Sequence, residues 1–264
     1  MKNKKFSLSS LYLVLVFVIL YLPLIYLVVF SFNENNTMTA FSGFTLDRYR
    51  AVFEDTRLVA IAIDTIVLGL TSSLVASIIG TGGALLIYYL RSKKLKDLVL
   101  SLNNILLVMP DVMIGASFLV LFTFLLPIGF GFRTVFLAHV AFSVPIVVLM
   151  VLPRLYALNP NMMRAAEDLG ASDWQVLNKI ILPNIFGGIL AGFFMALSYS
   201  LDDFAVSFFV TGGGYTTLSI EVYSRARAGI SLEINALSTL MLGLSLVLAL
   251  GYYLIQKREG KFNE

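Results

Sequence analysis

Cysteine is absent from the chain, and histidine and tryptophan occur only once each. The lack of cysteine excludes disulfides, thiolate metal sites and thiol nucleophiles, and it leaves the redox compartment undetermined. The sequence shows no cluster of metal ligands and no nucleophile–base pair, so an intramembrane enzyme is not favoured. The run Gly212-Gly213-Gly214 lacks the Gly-Lys-Ser/Thr ending of a phosphate-binding loop and predicts a turn. We therefore expect no catalytic residue, no metal site and no cofactor bound by this chain.

Charged residues are also scarce, at 13% of the chain, whereas hydrophobic residues make up 58%. Soluble domains are about a quarter charged and about half apolar. The surplus apolar surface must therefore face lipid. The net charge of +3 is small and is spread over several loops, so nucleic acid is not an expected partner.

Six apolar segments are long enough to cross a bilayer, whose core of about 30 Å needs about 20 helical residues. They are continuous rather than alternating runs, which excludes membrane β-strands. The first is about 25 residues long, which exceeds a signal-peptide core, so we expect it to be retained. The sequence thus predicts an all-α polytopic membrane protein with about six transmembrane helices and a single domain, residues 1–264. The segments are Leu8–Phe32, Ile61–Leu90, Leu98–Leu126, Thr134–Leu155, Ile185–Val210 and Ala236–Ile255.

The distribution of Lys and Arg predicts the orientation. Thirteen of them lie in the two tails and in the loops after the second and fourth segments, and six lie in the other loops. We therefore expect those tails and loops to be cytoplasmic, with the chain in the bacterial inner membrane.

The longest predicted cytoplasmic loop, about 157–184, carries signals for two short helices. Asn159-Pro160 predicts a turn, and Gly170 is placed as the residue that ends a first helix. Ser172 and Gln175 fit a capping box that starts a second helix.

The second helix should present Trp174, Leu177 and Ile181 as one apolar stripe and should end at Pro183. Such helices could lie on the bilayer surface, which is the plainer alternative. A surface anchor would usually line its polar face with Lys and Arg, but this face also carries Glu167, Asp168 and Asp173. The loop therefore favours docking of a soluble partner.

The same loop resembles the EAA loop of ABC importer permeases. That signature is Glu-Ala-Ala, three residues, Gly, nine residues, then Ile-x-Leu-Pro. Here Gly170 and Ile180-Ile181-Leu182-Pro183 hold its fixed points, and the first element is represented by Ala165-Ala166. Arg164 stands where the signature has glutamate. The resemblance implies an all-helical, type I ABC importer permease-like fold. It also implies that Ala165, Ala166, Glu167, Leu169 and Gly170 couple the chain to an ATPase.

Further resemblance lies outside the loop, in segments spread along most of the chain. They are Ser31-Phe32-Asn33, Gly43-Phe44-Thr45 with Tyr49, Met109-Pro110-Asp111, Ser200-Leu201-Asp202-Asp203 and Thr211-Gly212. Together they resemble the PotC-type permeases of spermidine/putrescine importers. The resemblance implies a PotB-like permease partner, two copies of a PotA-like ATPase that hold ATP and Mg, and a PotD-like extracytoplasmic binding protein.

Acidic residues within apolar segments point to a path for cations. Asp202 and Asp203 lie in the fifth segment and Asp111 in the third. A carboxylate at mid-membrane costs about 2.5–3.5 kcal/mol on insertion scales, so such residues face a bundle interior or a water-filled path. Tyr199 adds an aromatic surface beside the pair, and cations gain about 0.5–2 kcal/mol over such rings. We expect Asp202, Asp203, Asp111 and Tyr199 to line a substrate path.

Structural roles remain open for some of these groups. Adjacent helical residues point about 100° apart, so one of Asp202 and Asp203 would line the path while the other caps a broken helix or meets a partner subunit. Asp111 could cap a helix restarted after Pro110. Asp64 fits an interfacial or N-cap position, and His139 fits a group satisfied by a neighbouring backbone.

Three functions are compatible with these features. The first is the permease subunit of a polyamine importer that works by alternating access and is energised by separate ATPase subunits. The second is the same machine carrying another small cationic or chelated solute. The third is a self-contained secondary transporter, which the absence of a visible repeat disfavours.

Overall fold

The computed structural model describes residues 8–35, 38–228 and 232–260. These residues form helices throughout, joined by short loops, and the only strand-like pairing among them is one bridge between Asn33 and Phe44. The α-helices are α1 (Leu8–Phe30), α2 (Asp47–Glu54), α3 (Thr56–Tyr89), α4 (Lys93–Val108), α5 (Asp111–Val120), α6 (Phe132–Ala157), α7 (Pro160–Asp168), α8 (Asp173–Val176), α9 (Leu182–Asp202), α10 (Ala205–Val210), α11 (Leu218–Ala228) and α12 (Leu232–Gly260). Two π-helical turns, Leu121–Leu125 and Leu177–Ile181, extend α5 and α8.

The predicted all-α membrane fold is confirmed. Among the described residues, five continuous helical segments are long and apolar enough to cross a membrane, and the pair α4–α5 would make a sixth. That pair is bent by 106°. The bend falls at Met109-Pro110, because proline cannot continue the hydrogen-bond ladder of α4. The five are Leu11–Phe30, Thr56–Tyr89, Phe132–Ala157, Asp173–Asp202 and Glu233–Tyr253.

The chain divides into two compact units. One unit comprises the described residues up to Val59 together with Val222–Leu244. In it, Asp55 accepts hydrogen bonds from the backbone N–H groups of Arg57 and Leu58 and so caps the start of α3. Arg225 binds Asp55 at 2.9 Å and lies 3.8 Å from Glu233, which ties the beginnings of α3 and α12 to α11.

The other unit comprises Ala60–Glu221 and the described residues from Ser245 onward. Its α6 and α9 pack closely because Gly188 and Gly192, four residues apart on α9, present no side chain. A β-carbon on Gly188 would lie 2.8 Å from Cγ of Arg154, and one on Gly192 would lie 3.1 Å from Cα of Val147.

Two apolar clusters fill this second unit. One gathers residues of α3, α6, α8 and α9, including Val151, Ile185 and Ala196. The other gathers residues of α3, α5, α6 and α10, including Val135 and Val206. The fifth predicted span is broken in the structure, since α9 ends at Asp202 and α10 begins at Ala205. Residues of α9 belong to the first cluster, and residues of α10 belong to the second.

The loop helix α8 runs directly into the membrane helix α9, so the prediction that Pro183 ends the helix is wrong. The π-helical turn Leu177–Ile181 makes this possible. The N–H of Leu182 bonds the carbonyl of Leu177, five residues back, immediately before Pro183. Pro183 directly follows this turn, where the hydrogen-bond ladder has already changed and a residue without an N–H is accommodated in a continuous helix.

Candidate functional site

The first helix of the candidate coupling loop ends as its sequence predicts. Asn159 caps α7 by accepting the N–H of Asn161 at 2.9 Å. Gly170 adopts φ +82°, its N–H bonds the carbonyl of Glu167, and the N–H of Ala171 bonds the carbonyl of Ala166. These two bonds form a Schellman motif, with Gly170 as the C′ residue. Since residues with a β-carbon are disfavoured at this φ, glycine is what allows the chain to reverse here.

The second helix also begins as predicted, but different apolar side chains pack against the protein. Ser172 and Gln175 form the expected capping box, with Ser172 N–H bonding the Gln175 side chain at 2.9 Å. Trp174, however, is 71% exposed and does not share a buried stripe with Ile181, so that prediction is wrong. The π-helical turn adds a residue to the helical repeat. Val176 therefore takes the packed position, together with Ile181.

Large apolar side chains are left exposed on this loop. Leu169, just before Gly170, is 89% exposed, and Trp174, near the start of α8, is 71% exposed. Between α7 and the π-helical turn there is an open groove of about 360 Å³, lined by Ala166, Leu169, Gly170, Ala171, Gln175, Lys179 and Ile180. Exposed apolar groups around a groove are typical of protein interaction sites. Ala165, Glu167 and Arg164 are exposed on α7 as well, so the predicted coupling residues share one accessible element with this groove.

Two of the predicted path residues lie in contact. Asp111 is the first residue of α5 and accepts a hydrogen bond from the hydroxyl of Tyr199 on α9 at 2.5 Å. The carboxylate makes no capping bond in its own helix, so the alternative that Asp111 caps α5 is wrong. Its place in the first turn still suits the positive end of the helix dipole. The Tyr199 ring packs edge-on against Phe142 at 5.0 Å, which fixes the ring beside the carboxylate.

The adjacent acids Asp202 and Asp203 have different surroundings. Asp202, the last residue of α9, is exposed and lies three residues after Tyr199, hence on the same helical face. Asp203 is 8% exposed, and its carboxylate accepts the N–H groups of Val206 and Ser207 at 3.2 and 2.8 Å. Asp203 therefore caps α10, whereas Asp202 is exposed at the end of α9 and accepts a hydrogen bond from the Ser245 side chain of α12.

A buried polar network adjoins these acids, and sequence reasoning missed it. His139 on α6 is fully buried and is held by hydroxyl groups at both ring nitrogens rather than by backbone. Nδ1 lies 2.6 Å from Oγ of Ser200, and Nε2 lies 2.9 Å from Oγ of Ser207 and 3.4 Å from the Asp203 carboxylate. The signal in the sequence was hydroxyl residues on either side of an acid in an apolar run, which often hydrogen-bond across membrane helices.

Asp64 makes none of these contacts. It sits well inside α3, whose start is capped by Asp55, so the N-cap alternative for Asp64 is wrong. Its side chain is exposed, and its carbonyl lies 3.5 Å from the hydroxyl of Tyr215. Burial and the nearby Asp64 charge raise the pKa of Tyr215 above its usual range.

The described residues contain no group of three or more His, Asp or Glu side chains that could hold a metal ion. What they combine is a bundle of membrane-crossing helices, carboxylates exposed on those helices, and a structured loop with exposed apolar groups. This combination defines the membrane-embedded component of a solute transport system.

Comparison with known families agrees with that class. Residues 72–260 match the family described as "Binding-protein-dependent transport system inner membrane component". The chain therefore belongs to this family. It is a multi-pass inner-membrane permease subunit and not an enzyme.

Its relatives include the spermidine/putrescine transport system permease protein PotC of Escherichia coli K12, which is 36% identical over 94% of this chain and 93% of its own length. PotC of Haemophilus influenzae is 34% identical over 97% and 98%, and the putrescine transport system permease PotI of E. coli K12 is 34% identical over 94% and 90%. Among solved structures, a bacterial ABC transporter for the acidic polysaccharide alginate matches with a TM-score of 0.76 at 17% identity, covering 95% of this chain and 94% of that one. At that identity the likeness shows the fold alone.

Proposed function

We propose that this chain is one of two permease subunits of an ABC importer that takes up polyamines such as spermidine and putrescine. The observation that carries the cargo assignment is the exposed set of Asp111, Tyr199 and Asp202, considered together with the printed functions of the relatives. The same fold serves an acidic polysaccharide in another transporter, so the cargo has to be argued from side chains.

The path acids suit cationic cargo for a physical reason. On membrane-crossing helices an exposed carboxylate that met lipid would cost about 2.5–3.5 kcal/mol. Asp111 and Asp202 therefore face a water-filled path or the partner permease. The Tyr199 hydroxyl occupies one lone pair of Asp111 and leaves the others for an incoming ammonium group. The ring of Tyr199 supplies an apolar wall for the methylene chain between two ammonium groups.

Energy would enter through the loop between α6 and α9. A PotB-like permease, two PotA-like ATPases holding ATP and Mg, and a PotD-like binding protein would complete the transporter. The groove around Gly170 would receive the ATPase, with Leu169 and Trp174 as its apolar contacts. Since α8, the π-helical turn and α9 form one continuous rod from Asp173 to Asp202, a push on the loop would be carried to the end of α9 that bears Tyr199 and Asp202.

The orientation follows the basic residues. The loop between α3 and α4 and the α7–α8 loop lie at the same end of their unit, because Tyr88 and Lys96 both contact Tyr156 near the end of α6. This end carries Arg91, the lysines at the start of α4 and Arg164 of α7, which favours a cytoplasmic position for it. The lysines and arginines of the two tails favour cytoplasmic termini by the same rule.

The test is purification of the intact complex from native membranes and its reconstitution with the binding protein. We expect spermidine and putrescine to stimulate ATP hydrolysis and to compete with each other for uptake. Failure of both polyamines to compete, with uptake of another cation instead, would reject the cargo assignment. Uptake by this chain alone without an ATPase would reject the ABC mechanism.

A further inference from the structure

The break between α9 and α10 is held by side chains that the proposed transport path does not use. Asp203 and Phe204 separate the two helices, and the Asp203 carboxylate satisfies the first free N–H groups of α10. A buried carboxylate is costly unless it is paired and hydrogen-bonded. Here His139 supplies the remaining partner, at 3.4 Å from Nε2.

One imidazole spans both sides of this break. His139 comes from α6, and its two nitrogens contact Ser200 in the last turn of α9 and Ser207 in α10. Ser200 in turn lies 3.3 Å from Oγ of Ser72 on α3. Three helices, α6, α9 and α10, thus meet at a fully buried ring whose two nitrogens are both hydrogen-bonded, and α3 joins the network through Ser200.

The buried residues of this network, Ser200 and Asp203, each directly follow an exposed residue of the proposed path. Tyr199 precedes Ser200, and Asp202 precedes Asp203. The residues that anchor Ser200 and Asp203 therefore help to set the direction in which Tyr199 and Asp202 point, together with the hydrogen bonds from Tyr199 to Asp111 and from Ser245 to Asp202. The His139 ring also packs against Phe142, and Phe142 packs edge-on against Tyr199, so the network reaches the path tyrosine by a second route.

We propose that His139 and Asp203 are positioning residues of the substrate path, which lock the α9–α10 break so that Asp202 and Tyr199 face the solute. The two adjacent acids then have separate tasks: Asp203 holds the backbone, and Asp202 meets the cation. This inference rests on the proposed transport function, because it assigns Asp202 and Tyr199 to the path.

The absence of native cysteine allows a direct test of where residue 202 points. Asp202→Cys would be introduced alone and together with His139→Gln, in the assembled complex reconstituted in vesicles. The rate of reaction with a small cationic methanethiosulfonate reagent measures access to position 202. We expect His139→Gln to slow this reaction about tenfold, because the thiolate is the reacting form and a rise of about one unit in the pKa of a thiol that turns toward packed helices removes about nine-tenths of it.

A second reporter separates positioning from general loss of structure. Asp97→Cys is the same substitution at an exposed position of α4 outside the path and the coupling loop, and its labelling rate should be the same with and without the His139→Gln substitution. Ser200→Ala removes a single hydroxyl from the network and should slow labelling at position 202 less than His139→Gln does. Asp203→Asn keeps an acceptor oxygen for α10 but loses the charge, and it should act in the same direction as His139→Gln.

The outcomes separate the positioning role from the path itself. Equally fast labelling at position 202 in the parent Asp202→Cys protein and in all three network variants, with labelling at position 97 unchanged, would overturn the positioning role and leave the path intact. An unreactive cysteine at position 202 in the parent would overturn the path and this inference with it. Slower labelling at position 202 alone, in the expected order, supports the inference.

Discussion

Replacing Gly170 by valine tests whether the turn between α7 and α8 transmits energy. Gly170 adopts φ +82°, and a β-carbon built there meets no atom within 4 Å. The substitution therefore introduces backbone strain without a steric clash. A left-handed conformation costs a residue with a β-carbon roughly 1–2 kcal/mol, and more for a β-branched one. That energy corresponds to a factor of about 5–30 in the population of the native turn.

The strain would be relieved by opening the Schellman motif. Opening it breaks the bonds from Gly170 N–H to Glu167 at 2.9 Å and from Ala171 N–H to Ala166 at 3.0 Å. Leu169 and the groove beside it would then lose their fixed relation to α8. We expect Gly170→Val to reduce ATPase-subunit binding and coupled uptake by about 5–30-fold, while membrane insertion stays unchanged. Gly170→Asn should be milder, because asparagine tolerates this conformation.

Gly214 provides a matched control for this experiment. It adopts φ +85° and also has no atom within 4 Å of its built β-carbon. It lies near the start of α6, since its neighbour Tyr215 packs on Phe132, whereas α7 follows the end of α6. Gly214→Val should therefore introduce similar strain while leaving the affinity for the ATPase subunit unchanged. Titration of purified ATPase onto each reconstituted variant measures this, and wild-type affinity in Gly170→Val would refute the reasoning.

Three further changes test other parts of the molecule. Asp202→Asn should lower uptake about 10–100-fold without loss of assembly, since hydrogen bonds to charged groups contribute about 1.5–3 kcal/mol. The control is Asp97→Asn, at an exposed position outside the path. Equal uptake by both variants would exclude Asp202 from the path. Trp174→Ala should weaken ATPase binding without lowering thermal stability, because the side chain is 71% exposed; an unchanged affinity would remove it from the interface. The hydrogen bond from Arg225 holds the pKa of Asp55 below its usual range. The pair therefore stabilises the fold at pH values above the ordinary pKa of Asp, about 3.9, and this stabilisation is lost as the pH falls through the lowered pKa. Unfolding temperatures of wild type and Arg225→Gln should therefore differ near neutral pH and converge in acid, and a constant difference would contradict this.

The parts of the fold that depend on neighbouring residues in the sequence were predictable, and the other parts were not. Spans were predictable from hydropathy because lipid demands long apolar helices whatever their neighbours. The Gly170 turn and the Ser172–Gln175 box were predictable because their partners lie within a few residues. The prediction failed at Trp174 and Pro183, where a π-helical turn altered the helical repeat. No periodicity rule with a fixed spacing could have indicated that turn.

In the candidate site as well, the features with local causes were predictable and those that depend on distant contacts were not. The sequence placed Asp111, Tyr199, Asp202 and Asp203 in membrane segments, and a charge in lipid is costly enough to mark each acid as a special position. It also left open which of the two adjacent acids would cap a broken helix. Local sequence could not decide this, because both acids sit in the same apolar run.

The amino-acid order by itself determined that the chain is a helical membrane protein with a structured loop and acids in its spans, since these follow from the hydrophobicity, charge and turn chemistry of near neighbours. Only the tertiary structure decided that Asp203 is buried against His139, that Tyr199 binds Asp111 88 residues away, and that α8 and α9 form one rod. The first two depend on contacts between segments distant in the chain, and the third on a π-helical turn. Helix packing, and not local propensity, chooses the partners of such distant contacts.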